Sequence, residues 1–95
     1  MFAAIFTAVT AQLDKQYDLT VAKMRELAFA KYNCVDFNAV SEGENEIAIS
    51  YWHSLEDIKR WKSDPEHALA QKQGQKHWYK SYKVEVVEIK RAYTG

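Results

Sequence analysis

Two short stretches of this chain, Met1–Val9 and Glu46–Trp52, are apolar on both of their alternating sets of positions. In the first, Phe2, Ala4, Phe6 and Ala8 form one set, and Ala3, Ile5 and Val9 form the other. In the second, Ile47, Ile49 and Tyr51 alternate with Ala48, Ser50 and Trp52. Successive side chains of a strand point to opposite faces, so each stretch predicts a strand that is dry on both sides. The chain has only 95 residues, enough for one layer of helices over one face of a sheet. The economical cover for the other face is a second copy of the same chain, so a homodimer packed sheet to sheet is expected.

The remaining elements follow from periodicity and caps. Leu13, Tyr17, Val21, Met24 and Leu27 or Ala28 recur at spacings of three and four, which predicts an amphipathic helix over roughly residues 12 to 30. Tyr32 to Val40 reads as the second strand. Ser41-Glu42-Gly43-Glu44-Asn45 then makes a hairpin connection in which Gly43 is free to take positive φ. Ser54-Leu55-Glu56-Asp57 is a variant capping box for a short helix, Leu55 to Lys62. Asp64-Pro65 supplies a new cap and a first-turn proline for a second piece from Pro65 to about Gln73. Gly74 stands as its stop, and a last turn follows within Gln75 to Lys80. Tyr82 to Ala92 is the fourth strand, and its apolar phase changes between Val86 and Val87. Either a β-bulge or a strand buried differently along its length accounts for that change. The order β-α-β-β-α-β is the split-βαβ arrangement: an α+β, ferredoxin-like antiparallel sheet with helices on one face, one domain spanning 1–95.

Charge and composition narrow the function. Thirteen Lys and Arg balance thirteen Asp and Glu, which argues against a basic nucleic-acid clamp. Lys72, Lys76, Lys80 and Lys83 lie among Trp78, Tyr79 and Tyr82, and with zero net charge they read as a solvated face. No apolar run reaches the ~18–20 residues of a membrane span, and Met1 to Thr10 lacks the positive start of a signal peptide. A single cysteine, Cys34, gives no internal disulfide and fits a reducing, cytoplasmic setting, where it reads as a small buried hydrophobe. His53, His67 and His77 have no metal-ligand spacing, so no metal site is expected. The glycines are too scattered for a phosphate loop.

Three Trp, six Tyr and four Phe stand out in a chain this short. Trp52, Trp61 and Trp78 have two readings: large side chains filling a small core, or walls of a cleft for a flat ligand. Phe6 and Tyr51, on the first and third strands, join them as candidate substrate contacts by residue type. His67 lies near a helix start, where the dipole favours neutral imidazole. It is read either as a histidine that hydrogen-bonds to fix the turn or as a general base for a phenol or quinol.

The segments Ala48-Ile49-Ser50-Tyr51-Trp52-His53-Ser54-Leu55-Glu56, Ile58-Lys59-Arg60-Trp61-Lys62, Asp64-Pro65-Glu66-His67, then Gln71, Trp78-Tyr79 and a final strand ending in Tyr93, carry a resemblance. On them the chain is similar to the antibiotic biosynthesis monooxygenase (ABM) domain family, of the dimeric α+β barrel type. The resemblance implies a ligand seated between sheet and helices, and oxidation of a small aromatic, polyketide or quinol-like substrate by O₂ with neither metal nor flavin. Trp61 matches the tryptophan of the oxygenating members. A related branch binds and degrades haem through a histidine whose place here falls at or near Gln71, and through a first-strand asparagine where this chain has Phe6 or Thr7. Both departures argue against haem chemistry. The competing expectation is a dimeric barrel that binds a small aromatic molecule without turning it over.

Overall fold

The computed structural model describes residues 1–95. The chain runs β1 (Phe2–Thr10), α1 (Lys15–Lys31), β2 (Asp36–Glu42), β3 (Asn45–Trp52), α2 (Leu55–Lys62), α3 (Pro65–Gln73), a π-helical turn (Gly74–Trp78) and β4 (Tyr79–Glu88). The strands order as β2-β3-β1-β4, and every neighbouring pair is antiparallel. This is the ferredoxin-like α+β fold expected from the sequence.

Local signals set the helix ends. The Asp14 carboxylate accepts the backbone N–H of Tyr17 at 2.9 Å and starts α1. Ser54 Oγ accepts from Asp57 N at 3.3 Å and starts α2. Asp64 accepts from Glu66 N at 2.8 Å, with Pro65 in the first turn of α3. The chain leaves α1 through Asn33 at φ 61°, an αL position that asparagine tolerates. That exit consumes Tyr32 to Cys34, so β2 starts at Asp36, later than the pattern predicts. Gly43 takes φ +59° in the β2–β3 turn, as the hairpin requires.

α3 ends at Gln73 with Gly74 as its C-cap, as expected, but Gly74 does not take the left-handed conformation of a glycine stop. It stays right-handed, at φ −60° and ψ −46°, and the chain continues into the π-helical turn. Its lack of a side chain serves packing instead: a Cβ here would lie 2.6 Å from Cε2 and 2.8 Å from Cδ2 of Tyr79. On β4 the pairing runs unbroken from Val84 to Val87, so there is no bulge at the change of phase. Val84 and Val86 share the helix side with Phe6 and Ala4, while Val87 pairs with Ala3 on the other side. The irregularity falls between Val9 and Thr10, where Tyr79 rather than Lys80 comes opposite Thr10.

The helices cover the face that carries Ala4, Phe6, Phe37, Ala48, Ser50 and Trp52. There the core forms from Ala4, Leu27, Ala28, Cys34, Phe37, Trp52, Ile58 and Trp61. The opposite face carries Ala3, Ile5, Val9, Val40, Ile47, Ile49, Tyr51 and Val87 in register. No element of this chain covers it, and Val40 is 66% and Ile47 42% exposed.

Candidate functional site

The middle of the helix-side face is paved with small residues: Ala4 on β1, Ala39 on β2, and Ala48 and Ser50 on β3. Helices that rest on larger neighbours around such a floor leave space over it. The result is a cleft of about 130 Å³ between the sheet and the helices. Phe6, Phe37 and Val84 extend the floor, Val21 and Met24 of α1 and Ala70 of α3 form the roof, and Trp61, Trp78 and Tyr79 form walls. The lining is mostly apolar, with Glu46, Lys62, His67 and Gln71 as its ionisable or strongly polar members. A groove between α1 and α3, flanked by Leu19 and Leu69, shares Thr20, Met24, Ala70 and Trp78 with the cleft.

His67 sits at one side of the cleft. Asp64, which caps α3, also accepts the phenol O–H of Tyr32 at 2.5 Å, so the start of α3 is tied to the end of α1. That hydrogen bond is the first reason the Asp64 carboxyl is held below its usual range. One turn on, the His67 ring meets Trp61 edge to face, with centroids 4.3 Å apart. Trp61 is itself fixed by its Nε1–H, which donates to the Met24 carbonyl at 3.1 Å. Burial, with Lys62 adding repulsion, pushes His67 down from 6.5 to about 4. The imidazole is therefore neutral at neutral pH, as the sequence predicts, but burial is the chief cause. Its Nδ1 is buried with no hydrogen-bond partner, the Trp61 backbone beside the ring favours the charged form and offsets part of the shift, and Asp64 caps the start of α3.

The structure brings His67, Trp61, Trp78 and Phe6 to one cleft. Two expected substrate contacts lie elsewhere. Trp52 is 0% exposed and does not border the cleft; its Nε1–H donates to Ser50 Oγ at 2.8 Å and its ring packs 5.1 Å from that of Trp61. Tyr51, one residue earlier, pairs with Ala3 and Asp36 on the uncovered face. His53 and His77 are both exposed.

Two cleft residues, Glu46 and Tyr79, escaped the sequence reading, together with Tyr17, which lies behind Glu46. Glu46 is 9% exposed and occupies the same phase of β3 as Ala48, Ser50 and Trp52. Tyr17, on the apolar stripe of α1, donates its phenol O–H to Glu46 Oε2. Burial and that hydrogen bond both push the Tyr17 phenol far up, so it stays a donor. Burial also raises Tyr79, and the Glu46 charge adds to the effect. An acidic residue on a dry strand phase was the available signal.

Haem does not fit this cleft. Gln71 borders it where the haem branch has its axial histidine, and a carboxamide is no substitute for an imidazole.

Solved structures share this architecture. SnoaB, a cofactor-independent oxygenase from Streptomyces nogalater, superposes with a TM-score of 0.80 at 7% identity, covering 96% of this chain and 94% of that one. A structure described as an antibiotic biosynthesis monooxygenase superposes at 0.68 with 12% identity, over 94% of this chain and 98% of the other. The fold is thus that of ABM domains. No protein-family model matches the chain. The uncharacterised protein YqjZ of Bacillus subtilis (strain 168) is 33% identical over 91 residues, which span 95% of this chain and 80% of YqjZ. The chain belongs to one family with YqjZ, built on the ABM fold.

Proposed function

We propose that this protein is a monooxygenase that oxidises a small aromatic, quinol-like compound with O₂ and no cofactor, acting as a homodimer joined through the uncovered sheet face. The observation that carries the reading is the aromatic cleft with the neutral, unpartnered His67 Nδ1 at its side. Trp61, Trp78 and Phe6 offer flat surface for a ring. With Nε2 protonated, His67 presents a lone pair at Nδ1 to a substrate hydroxyl. Its low basicity suits it to orient that hydroxyl more than to store the proton.

Once ionised, an electron-rich substrate gives one electron to O₂, and the substrate radical and superoxide combine to a hydroperoxide. Loss of water then leaves a carbonyl, with one oxygen atom in the product and the other in water. Such chemistry needs a dry, oriented site, which the apolar lining favours. The fold shared with a cofactor-independent oxygenase supports the reaction class by analogy only.

Oxygen uptake with a panel of anthrone-like and quinol substrates, without added metal or flavin, tests the proposal against His67→Ala. Turnover by the wild type that falls at least about tenfold in the variant supports both the oxygenase and His67. Equal turnover keeps the enzyme and removes His67 from it. Tight binding of a panel compound with no uptake replaces the oxygenase with a ligand-binding module.

A further inference from the structure

Glu46 is a carboxylate more than nine-tenths buried, in a cleft lined mostly by aliphatic and aromatic groups. Carboxylates are almost never left so unless their acceptor sites are filled. Here one oxygen, Oε2, accepts the Tyr17 O–H. The side chain forms no salt bridge, and no hydrogen bond from a side chain reaches Oε1. Tyr17 is held in turn by edge-to-face contacts with Trp78, at 5.3 Å, and Tyr79, at 6.0 Å. The donor that fixes Glu46 is therefore rigid, and an acceptor oxygen remains unfilled beside the cleft.

Resting on the cleft as the ligand site proposed above, we infer that Glu46 reads a hydroxyl on the ligand ring seated in the cleft, and that this ring is bound as an un-ionised phenol. The cleft, about 130 Å³, seats one ring, as a benzene-sized cavity does, and any further ring of a fused ligand would extend into the adjoining groove between α1 and α3. The charge sets the protonation state. A carboxylate accepts hydrogen bonds and donates none, so it attracts a phenol O–H and repels a phenolate. Tyr17 is a positioning residue: its O–H holds Glu46 so that the free oxygen stays available to the ligand.

The probe is 4-nitrophenol, a one-ring phenol too electron-poor to be turned over, compared with nitrobenzene, the same ring without the hydroxyl. Binding is measured by calorimetry on either side of the pH at which the free phenol ionises. The other titratable groups bordering the cleft are His67 and Lys62 from the α2–α3 side and Tyr79 of β4, and Tyr17 of α1 faces Glu46. His67 is neutral at both pH values, and Tyr17 and Tyr79 stay protonated. The wild type is expected to bind 4-nitrophenol at least roughly tenfold more tightly than nitrobenzene and than 4-nitrophenolate, because a built acceptor rejects a ring that cannot donate. Glu46→Gln should lose most of its preference for phenol over phenolate while binding nitrobenzene as the wild type does. Tyr17→Phe should weaken phenol binding and leave nitrobenzene binding unchanged.

Equal binding of the three probes by the wild type overturns the inference without any variant, and so does an unchanged phenol preference in Glu46→Gln. In both cases nitrobenzene binding leaves the cleft intact as the ligand site. If the wild type binds none of them, the cleft itself is wrong and the inference falls with it.

Discussion

The rings of Trp61 and His67 meet edge to face, with centroids 4.3 Å apart and planes at 73°. The contact joins the end of α2 to the start of α3 and places a neutral imidazole beside an aromatic wall of the cleft. It also buries a group that is half-charged at its ordinary value of 6.5 and drives it down to about 4.

That shift has a signed consequence for stability. Between about 4 and 6.5 the unfolded chain binds a proton at this residue and the folded chain does not. Stability from this group therefore rises with pH through that window and is lost as pH falls through it. The full difference is on the order of 3 kcal/mol. Urea unfolding at pH 7 and pH 4.5 should show the wild type losing more stability than His67→Gln over the same step. An equal loss in the two proteins would remove His67 as the cause.

Gly74 gives a second prediction. A methyl group there would stand 2.6 Å from the Tyr79 ring, and that ring is wedged against Phe6, at 5.3 Å, and Tyr17. Gly74→Ala must push Tyr79 off the cleft wall, at a cost of about 1–3 kcal/mol for overpacking. Its backbone is right-handed, so the loss cannot come from φ. In a Tyr79→Ala background the same Gly74→Ala change should therefore cost much less than it does in the wild type, measured as denaturant midpoints.

The parts of the fold legible in the sequence are those set by local chemistry. Ser54 and the Asp64-Pro65 pair place α2 and α3 at the residues expected, because caps act within a few positions of themselves. Strand limits depend on partners. β4 begins at Tyr79 because β1 runs on to Thr10 and pairs with it, and no pattern within β4 encodes that. The site follows the same division. Strand phase alone separates Tyr51 from Trp52 and assigns Glu46 to the helix side, so both were readable. What made Trp52 core and Trp61 wall was not readable, since it depends on how the helices settle over Ala4, Ala48 and Ser50.

That division between two neighbouring tryptophans is itself testable. Trp52 touches no cleft space and holds Ser50 by a 2.8 Å hydrogen bond. Trp52→Phe should cost about 1–3 kcal/mol of stability and leave the affinity for a one-ring ligand within about twofold at temperatures where the variant is folded. Trp61→Phe loses the bond to the Met24 carbonyl as well as cleft wall, so it should weaken both stability and ligand affinity. Paired calorimetric titrations and thermal melts on the two variants check this. A ligand affinity lost in Trp52→Phe but kept in Trp61→Phe would reverse the assignment.

The uncovered sheet face carries the last prediction. Ile5 and Ile49 pair across β1 and β3 at its centre, with Ala3 and Tyr51 to one side and Thr7 and Ile47 to the other. Each is buried only partly or not at all by this chain, except Ala3. A second copy laid on this face would bury apolar surface of the kind that drives association, and a stable interface of this type removes roughly 800 Å² per partner. The protein should therefore sediment as a dimer at micromolar concentration. Ile49→Asp would place a carboxylate at the centre of that contact with no cationic partner: the neighbours of Ile49 across the sheet are Ile5 and Asn38. The cost of burying it is at least about 3 kcal/mol, or roughly a hundredfold in the dissociation constant. Lys83→Asp, at the edge of the same face opposite Thr7, already contacts solvent and should leave the dimer nearly unchanged. Analytical ultracentrifugation of the three proteins decides it. A wild type that sediments as a monomer, or an Ile49→Asp that stays dimeric, would place the interface elsewhere.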